Sequence, residues 1–205
     1  MKIVLVDDHD IFRLGLRALL EKEAGMIVVG EAEDTKTGLE AVVQNNPDMA
    51  LIDYSMPGIS GLELMQTLKR RFPKLRIIIL TASKSESVLS EALSLKADGL
   101  VLKQDASDEL VQALRLVNRG EHFLSSSISP IVERMDNLVN LTKRERQVLR
   151  LISNGYRNRE ISDELNISIK TVDSHRTNLM RKLNLHNLVD LIEFANKSGI
   201  LDSSI

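Results

Sequence analysis

The chain has 205 residues, 43% of them hydrophobic and 27% charged, and none is cysteine. That length suits one large domain or two small ones. The composition is that of an ordinary globular protein, and the lack of cysteine excludes disulfides, thiolate zinc sites and cysteine nucleophiles. The net charge of −2 divides into −3 over residues 1–120, −2 over 121–140 and +3 over 141–205, so an acidic front module and a basic back module with different partners are expected.

The apolar start Met1–Val6 is too short for a secretory signal and meets Asp7-Asp8 directly. Apolar runs such as Ile77–Leu80 fall far short of the ~20 residues that cross a bilayer. A cytoplasmic protein with no membrane partner is the expectation.

Short, apolar, largely β-branched runs at Lys2–Val6, Ile27–Val29, Ala50–Asp53, Ile77–Thr81 and Leu100–Leu102 predict buried strands. Amphipathic stretches at Ile11–Glu21, Thr37–Gln44, Gly61–Arg70, Ser87–Leu95 and Ala106–Asn118 alternate with them and predict helices. Alternation of this kind predicts an α/β, doubly wound, five-stranded parallel sheet over residues 1–120. Residues 121–140, with the loop-like Ser125-Ser126-Ser127-Ile128-Ser129-Pro130, read as a linker with a short helix around Ile131–Met135. Residues 141–205 carry no strand signal and read as an all-α domain of four helices, Arg144–Ser153, Arg159–Leu165, Ile169–Leu183 and Leu188–Lys197. Thr142 with Glu145 three residues on is a capping box, and Ser168 stands where an N-cap belongs. Gly155 and Gly199 stand just past helix ends.

Asp7 and Asp8 follow the first strand, and Asp53, Thr81 and Lys103 stand at the ends of the third, fourth and fifth. Function in an open parallel sheet gathers at the carboxyl ends of strands, beside the point where strand order reverses. Strand-end position thus places all five side chains in one crevice. Three crowded carboxylates repel unless a cation intervenes, and Mg²⁺ suits them because it takes oxygen ligands. Asp8, Asp53 and the carbonyl of Ser55 are the expected direct ligands, with Asp7 acting through water. Asp53 keeps an oxygen free to become an aspartyl phosphate. Lys103 would pair with the phosphoryl group as a point charge, and Thr81 would hydrogen-bond it.

Asp7-Asp8, Asp53-Tyr54-Ser55-Met56-Pro57-Gly58, Thr81 and Gly99–Lys103 together resemble the receiver domain of two-component response regulators. The Asp7-Asp8-His9 start with Arg13-Leu14-Gly15-Leu16 resembles the NarL/FixJ subgroup. The resemblance covers residues 1–120 and implies a flavodoxin-like fold, phosphorylation of Asp53 by a sensor histidine kinase, and a Thr81 that swings toward the phosphoryl group. One position departs from the family: the residue three before the lysine is commonly aromatic, and here it is Leu100.

In the predicted helix Ile169–Leu183, an apolar arc of Ile169, Val172, Leu179, Met180 and Leu183 opposes a face of Lys170, Asp173, Ser174, Thr177, Asn178 and Arg181. Arg176 falls within the apolar arc, where a guanidinium needs a partner, and Glu145 and Glu160 are the candidates. Helix 159–165, the turn Asn166-Ile167-Ser168 and helix 169–183 have the helix-turn-helix layout. The stretch from Leu141-Thr142-Lys143-Arg144-Glu145 to Lys182-Leu183, with Gly155, Asn158, Glu160-Ile161, Thr171-Val172 and His175 in place, resembles the LuxR-type DNA-binding domain. That resemblance implies base-edge contacts from Asp173, Ser174 and Thr177, and phosphate contacts from Lys170, Asn178 and Arg181. It also implies a two-fold dimer contact through Leu188, Val189, Leu191 and Ile192 of the last helix. The turn Asn184-Leu185-His186-Asn187 departs from the arginine-containing turn frequent in the family.

The sequence thus points to a two-domain transcription factor controlled by Mg²⁺-dependent phosphorylation at Asp53. Its partners would be a sensor histidine kinase, double-stranded promoter DNA and a second copy on DNA, with RNA polymerase a further candidate. Two alternatives stay open: a phosphorylation-independent DNA-binding regulator with a vestigial receiver, and an Mg²⁺-dependent aspartyl-phosphate phosphatase. Ser55, where a phosphatase would carry a proton-donating acid two residues after the nucleophile, disfavours the second.

Overall fold

A computed structural model describes residues 1–57 and 60–197. Gly58 of the Asp53 motif and Gly199, read as a helix terminator, lie outside the described residues. The chain divides into two compact units, Met1–Val132 and Glu133–Ile205.

The first unit is built on a parallel sheet whose strands are β1 (Lys2–Val6), β2 (Ile27–Ala32), β3 (Met49–Asp53), β4 (Arg76–Thr81), β5 (Gly99–Leu102) and β6 (Phe123–Leu124), in the spatial order β2-β1-β3-β4-β5-β6. Its helices are α1 (Asp10–Leu20), α2 (Thr35–Asn45), α3 (Gly61–Arg71), α4 (Glu86–Ser94) and α5 (Ala106–Asn118). β3 is buried along its whole length and β1 and β4 nearly so, because helices cover both faces of the sheet. Ile3, Leu5, Leu51, Ile78, Leu80 and Val101 pack on one face with Leu16 and Leu20 of α1 and Leu110, Leu114 and Val117 of α5. The alternate residues Val4, Val6, Ala50, Ile52, Ile77 and Ile79 are equally buried and face the opposite side.

Six strands stand where five were expected. β6 pairs in parallel with β5, Gly99 opposite Phe123 and Leu100 opposite Leu124, inside the stretch read as linker. Ser125 of the serine run is fully buried, since its Oγ accepts from the Leu102 amide at 3.2 Å and its own amide donates to the Leu100 carbonyl. The helix expected around Ile131–Met135 is the longer α6 (Ser129–Val139).

The second unit holds α7 (Lys143–Ser153), α8 (Asn158–Leu165), α9 (Ile169–Lys182) and α10 (Leu188–Lys197) around Val148, Leu149, Ile152, Ile161, Val172, Leu179, Leu183 and Leu191. Thr142 and Glu145 form the reciprocal capping box of α7, and the Ser168 side chain caps α9 by accepting from the Thr171 amide. Helix α7 ends in a Schellman motif: Gly155, at φ 83°, donates to the Ile152 carbonyl and Tyr156 to the Leu151 carbonyl. Asn184, at φ 52°, closes α9 the same way, with Leu185 donating to the Met180 carbonyl, and Asn187 caps α10 by accepting from the Asp190 amide. The unusual turn at 184–187 therefore has a local structural purpose at both ends.

Two packing expectations are corrected. Ile169, placed in the apolar arc, is 47% exposed because it is the first residue of α9 and projects beyond the core. Leu191, placed in a dimer contact, is fully buried in the core of its own unit and is removed from that set, and Ile192 packs against the same core. Leu188 and Val189 remain at the surface, Val189 at 71% exposure. No described helix is long and apolar enough to cross a membrane.

Candidate functional site

Strand order reverses between β1 and β3, and the carboxyl ends of those strands carry the acidic residues. Asp53 is the last residue of β3 and only 1% exposed. Lys103 opens a short 3-10 turn (Lys103–Asp105) after β5, and its Nζ lies 2.8 Å from Asp53 Oδ2 and 2.8 Å from Asp7 Oδ2. The ammonium also stands over the Phe12 ring, 4.7 Å from its centre, so an aromatic face and two carboxylates fix it. Asp53 Oδ1 accepts from the Ser55 amide at 3.2 Å. Burial pushes the Asp53 carboxyl above the ordinary carboxylate range; the Lys103 hydrogen bond pulls it down, and the nearby charge of Asp7 pushes it up again.

Asp7, Asp8, His9 and Asp53 each bring a ligand atom to within 4.8 Å of the others. The donor set is largely hard carboxylate oxygen, the kind Mg²⁺ prefers. Asp7 Oδ2 and Asp8 Oδ1 are buried without a hydrogen bond. Each has a side-chain nitrogen at 2.8 Å, of Lys103 and His9 respectively, but the approach is not aligned for a hydrogen bond. Two buried oxygens with unused lone pairs beside a third carboxylate fit a divalent cation. Thr81, at the end of β4, is buried, and its hydroxyl oxygen accepts from the Ser83 amide at 3.0 Å. Leu100 is buried within β5. The structure thus gathers Asp7, Asp8, Asp53 and Lys103 at one end of the sheet, with Ser55 in the loop after β3 and Thr81 at the end of β4.

Three residues, His9, Arg13 and Gly61, were given no role at this site by the sequence reading. His9 Nδ1 lies 2.8 Å from Asp8 Oδ1 and 3.3 Å from Asp7 Oδ1. The Arg13 guanidinium donates to the carbonyl of Asp7. Gly61 begins α3 against β3, and a Cβ there would stand 1.9 Å from the carbonyl oxygen of Asp53. The adjacency of His9 to Asp8, and the Phe12 and Arg13 positions one helical turn on, were the available signals. Nothing in the sequence announces Gly61, whose role depends on a close approach between helix and strand.

In the second unit α8, the turn at Asn166 and α9 form a helix-turn-helix. Asp173, Ser174 and Thr177 are exposed along α9 and, with Lys170 and Asn178, line one shallow surface groove. Arg176 pairs with neither expected glutamate. Its guanidinium donates to Asn158 Oδ1 of α8. Glu145 is engaged by Lys182 at 2.8 Å, and Glu160 accepts from the Arg157 amide.

Residues 3–115 match the response regulator receiver domain, and residues 139–195 match the bacterial regulatory proteins of the luxR family. The chain belongs to the response regulators with a luxR-type DNA-binding domain. Among similar regulators is the oxygen regulatory protein NreC of Staphylococcus carnosus, 37% identical over 98% of this chain and 100% of its own. Among solved structures, the RcsB response regulator of Salmonella typhimurium is 35% identical, with a TM-score of 0.67 over 96% of this chain and 98% of its own. A structure of the RcsB–DNA complex is 36% identical, with a TM-score of 0.63 over 96% of this chain and 98% of its own. This response regulator therefore has a receiver fold at one end and a DNA-binding helix-turn-helix at the other.

Proposed function

We propose that this regulator turns transcription on or off through phosphorylation of Asp53. The observation that carries the proposal is the Asp53 carboxylate, buried at the end of a central strand and held at 2.8 Å from Lys103 beside Asp7 and Asp8. A sensor histidine kinase is the phosphoryl donor. An Asp53 oxygen attacks phosphorus, the bond from phosphorus to the kinase imidazole nitrogen breaks, and that nitrogen keeps the electron pair. Asp8, Asp53 and the Ser55 carbonyl would hold Mg²⁺, with Asp7 through water; when bound, the ion offsets the charge of carboxylates and phosphoryl oxygens. Lys103 moves from carboxylate pairing to the phosphoryl group, which brings nearly two further negative charges. The Thr81 hydroxyl leaves the Ser83 amide and donates to a phosphoryl oxygen, and this exchange biases the receiver toward a second conformation.

The receiver covers residues 1–120, residues 121–140 join it to the DNA-binding part, and residues 141–205 bind promoter DNA as a dimer. Lys170, Asn178 and Arg181 meet phosphates, Asp173, Ser174 and Thr177 meet base edges, and Leu188 and Val189 supply the exposed apolar dimer contact. The protein works in the cytoplasm, and any hydrolysis of its own aspartyl phosphate is incidental to its regulatory role. The test is promoter binding with Mg²⁺ and a small phosphodonor. Phosphorylation is expected to tighten binding of wild type and not of Asp53→Asn. Equal binding by both would overturn phosphorylation control and favour a constitutive regulator.

A further inference from the structure

Three neighbouring residues on the exposed face of α9, Asp173, Ser174 and Thr177, offer acceptors alone. Ser174 Oγ donates its proton to the Lys170 carbonyl at 3.0 Å, and Thr177 Oγ donates to the Asp173 carbonyl at 3.0 Å. With their protons committed to the helix backbone, both hydroxyls present only lone pairs outward. Asp173 beside them is acceptor-only when ionised. It is also held in place. The Asn158 side-chain amide of α8 donates to Asp173 Oδ1, while the Asn158 carbonyl oxygen accepts from Arg176. A carboxylate can only accept and a guanidinium can only donate, so the amide has one permitted orientation and the Arg176–Asn158–Asp173 chain has one direction. It occupies Oδ1 and leaves Oδ2 free, and no ion pair reaches Asp173 among the described residues.

We propose that this relay makes Asp173 the residue that selects cytosine in each operator half-site, with Asn158 as its positioning residue. This rests on the DNA-binding reading above and names what that surface reads. In the major groove, base-edge donors are the cytosine N4 and adenine N6 amino groups. Adenine carries its N7 acceptor beside the amino group, which repels a carboxylate, whereas cytosine has only a C–H there. Guanine or thymine in place of that cytosine would present acceptors and be rejected by the same charge. Ser174 and Thr177 extend the acceptor surface to neighbouring amino groups. Lys170, Asn178 and Arg181, on the same face, supply the attraction to phosphates that a carboxylate lacks.

The test is selection from a duplex library with a randomised core. It uses the full chain, Mg²⁺ and acetyl phosphate, and compares wild type, Asp173→Ala, Asn158→Ala and the double variant. The wild-type half-site should contain one cytosine position, which Asp173→Ala relaxes about tenfold while the other positions keep their preferences. Asn158→Ala should relax the same position alone, and the double variant should relax it no further, since the two residues act through one contact. Three results would overturn the inference: a cytosine preference intact without Asp173, a guanine or thymine preference that Asp173→Ala removes, or an Asn158→Ala loss spread evenly over all positions. Enrichment of no sequence by any variant would instead overturn the DNA-binding reading itself.

Discussion

Gly61→Ala should damage the receiver out of proportion to the single methyl it adds. The new Cβ would lie 1.9 Å from the Asp53 carbonyl oxygen, 2.9 Å from its carbonyl carbon and 3.0 Å from Ile52 Cγ2. Ordinary contact begins near 3.4 Å, so a gap of at least about 1.5 Å must open. The obstacle is the backbone of a central strand bonded to β1 on one side and β4 on the other. It cannot retreat without breaking ladder bonds, so the start of α3 must move. That movement breaks the hydrogen bond from the Gly61 amide to the Tyr54 carbonyl, 3.1 Å, and disturbs the Ser60 cap. Overpacking of about 1–3 kcal/mol and about 1 kcal/mol each for a lost bond and a weakened cap give a loss of roughly 3–5 kcal/mol. Because the strain falls on Asp53 itself, phosphorylation should slow by up to ~10²-fold, the scale of a 1 Å misplacement at a reacting group. Urea unfolding and the rate of phosphoryl incorporation measure the two effects. Gly15→Ala is the matched control: no atom lies within 4 Å of its added Cβ, and the site is inside α1. It should stabilise by about 0.5–1 kcal/mol. If Gly61→Ala unfolds within about 0.5 kcal/mol of wild type and takes up phosphate at the normal rate, the close approach at Asp53 does not constrain the site as argued.

Further outcomes concern metal, charge and acid stability. Mg²⁺ at ten times its dissociation constant should stabilise the wild-type receiver by about 1.4 kcal/mol, read as a rise in Tm, and Asp8→Ala should abolish that rise. In the second unit, burial pushes Glu145 up, but the Lys182 hydrogen bond and the Thr142 amide and hydroxyl outweigh it and hold it below its ordinary value of 4.5. A lowered folded pKa gives stability that is present above pH 4.5 and is lost as pH falls through the folded value. Acid titration of unfolding should therefore show a steep loss below that pH in wild type and a flatter one in Glu145→Gln. Glu145→Ala removes both the capping box and the partner of Lys182, and should cost about 1–3 kcal/mol in denaturant melts.

Most of the receiver was legible because its strands are buried on both faces and spell themselves as β-branched runs, and because its charged residues sit where those runs end. β6 was not legible: two residues, Phe123 and Leu124, are too few to carry a period, and their pairing partner is supplied by β5. The serine run read as loop because serine is usually exposed, yet Ser125 is buried by satisfying the Leu102 amide. The helical wheel placed Arg176 in an apolar arc and the family resemblance placed Leu191 in a dimer contact, but neither says which neighbour each side chain meets. Asn158 reached Arg176, and the core of the second unit took Leu191. Capping was the reverse case, since Thr142–Glu145 and Ser168 act within one helical turn and depend on nothing remote.

The most direct test of the central claim is the intact mass of the full chain after incubation with Mg²⁺ and acetyl phosphate, for wild type and Asp53→Asn. The account predicts one added phosphoryl group on wild type and none on the variant. A phosphoryl group on both, or on neither when the sensor kinase replaces acetyl phosphate, would contradict it.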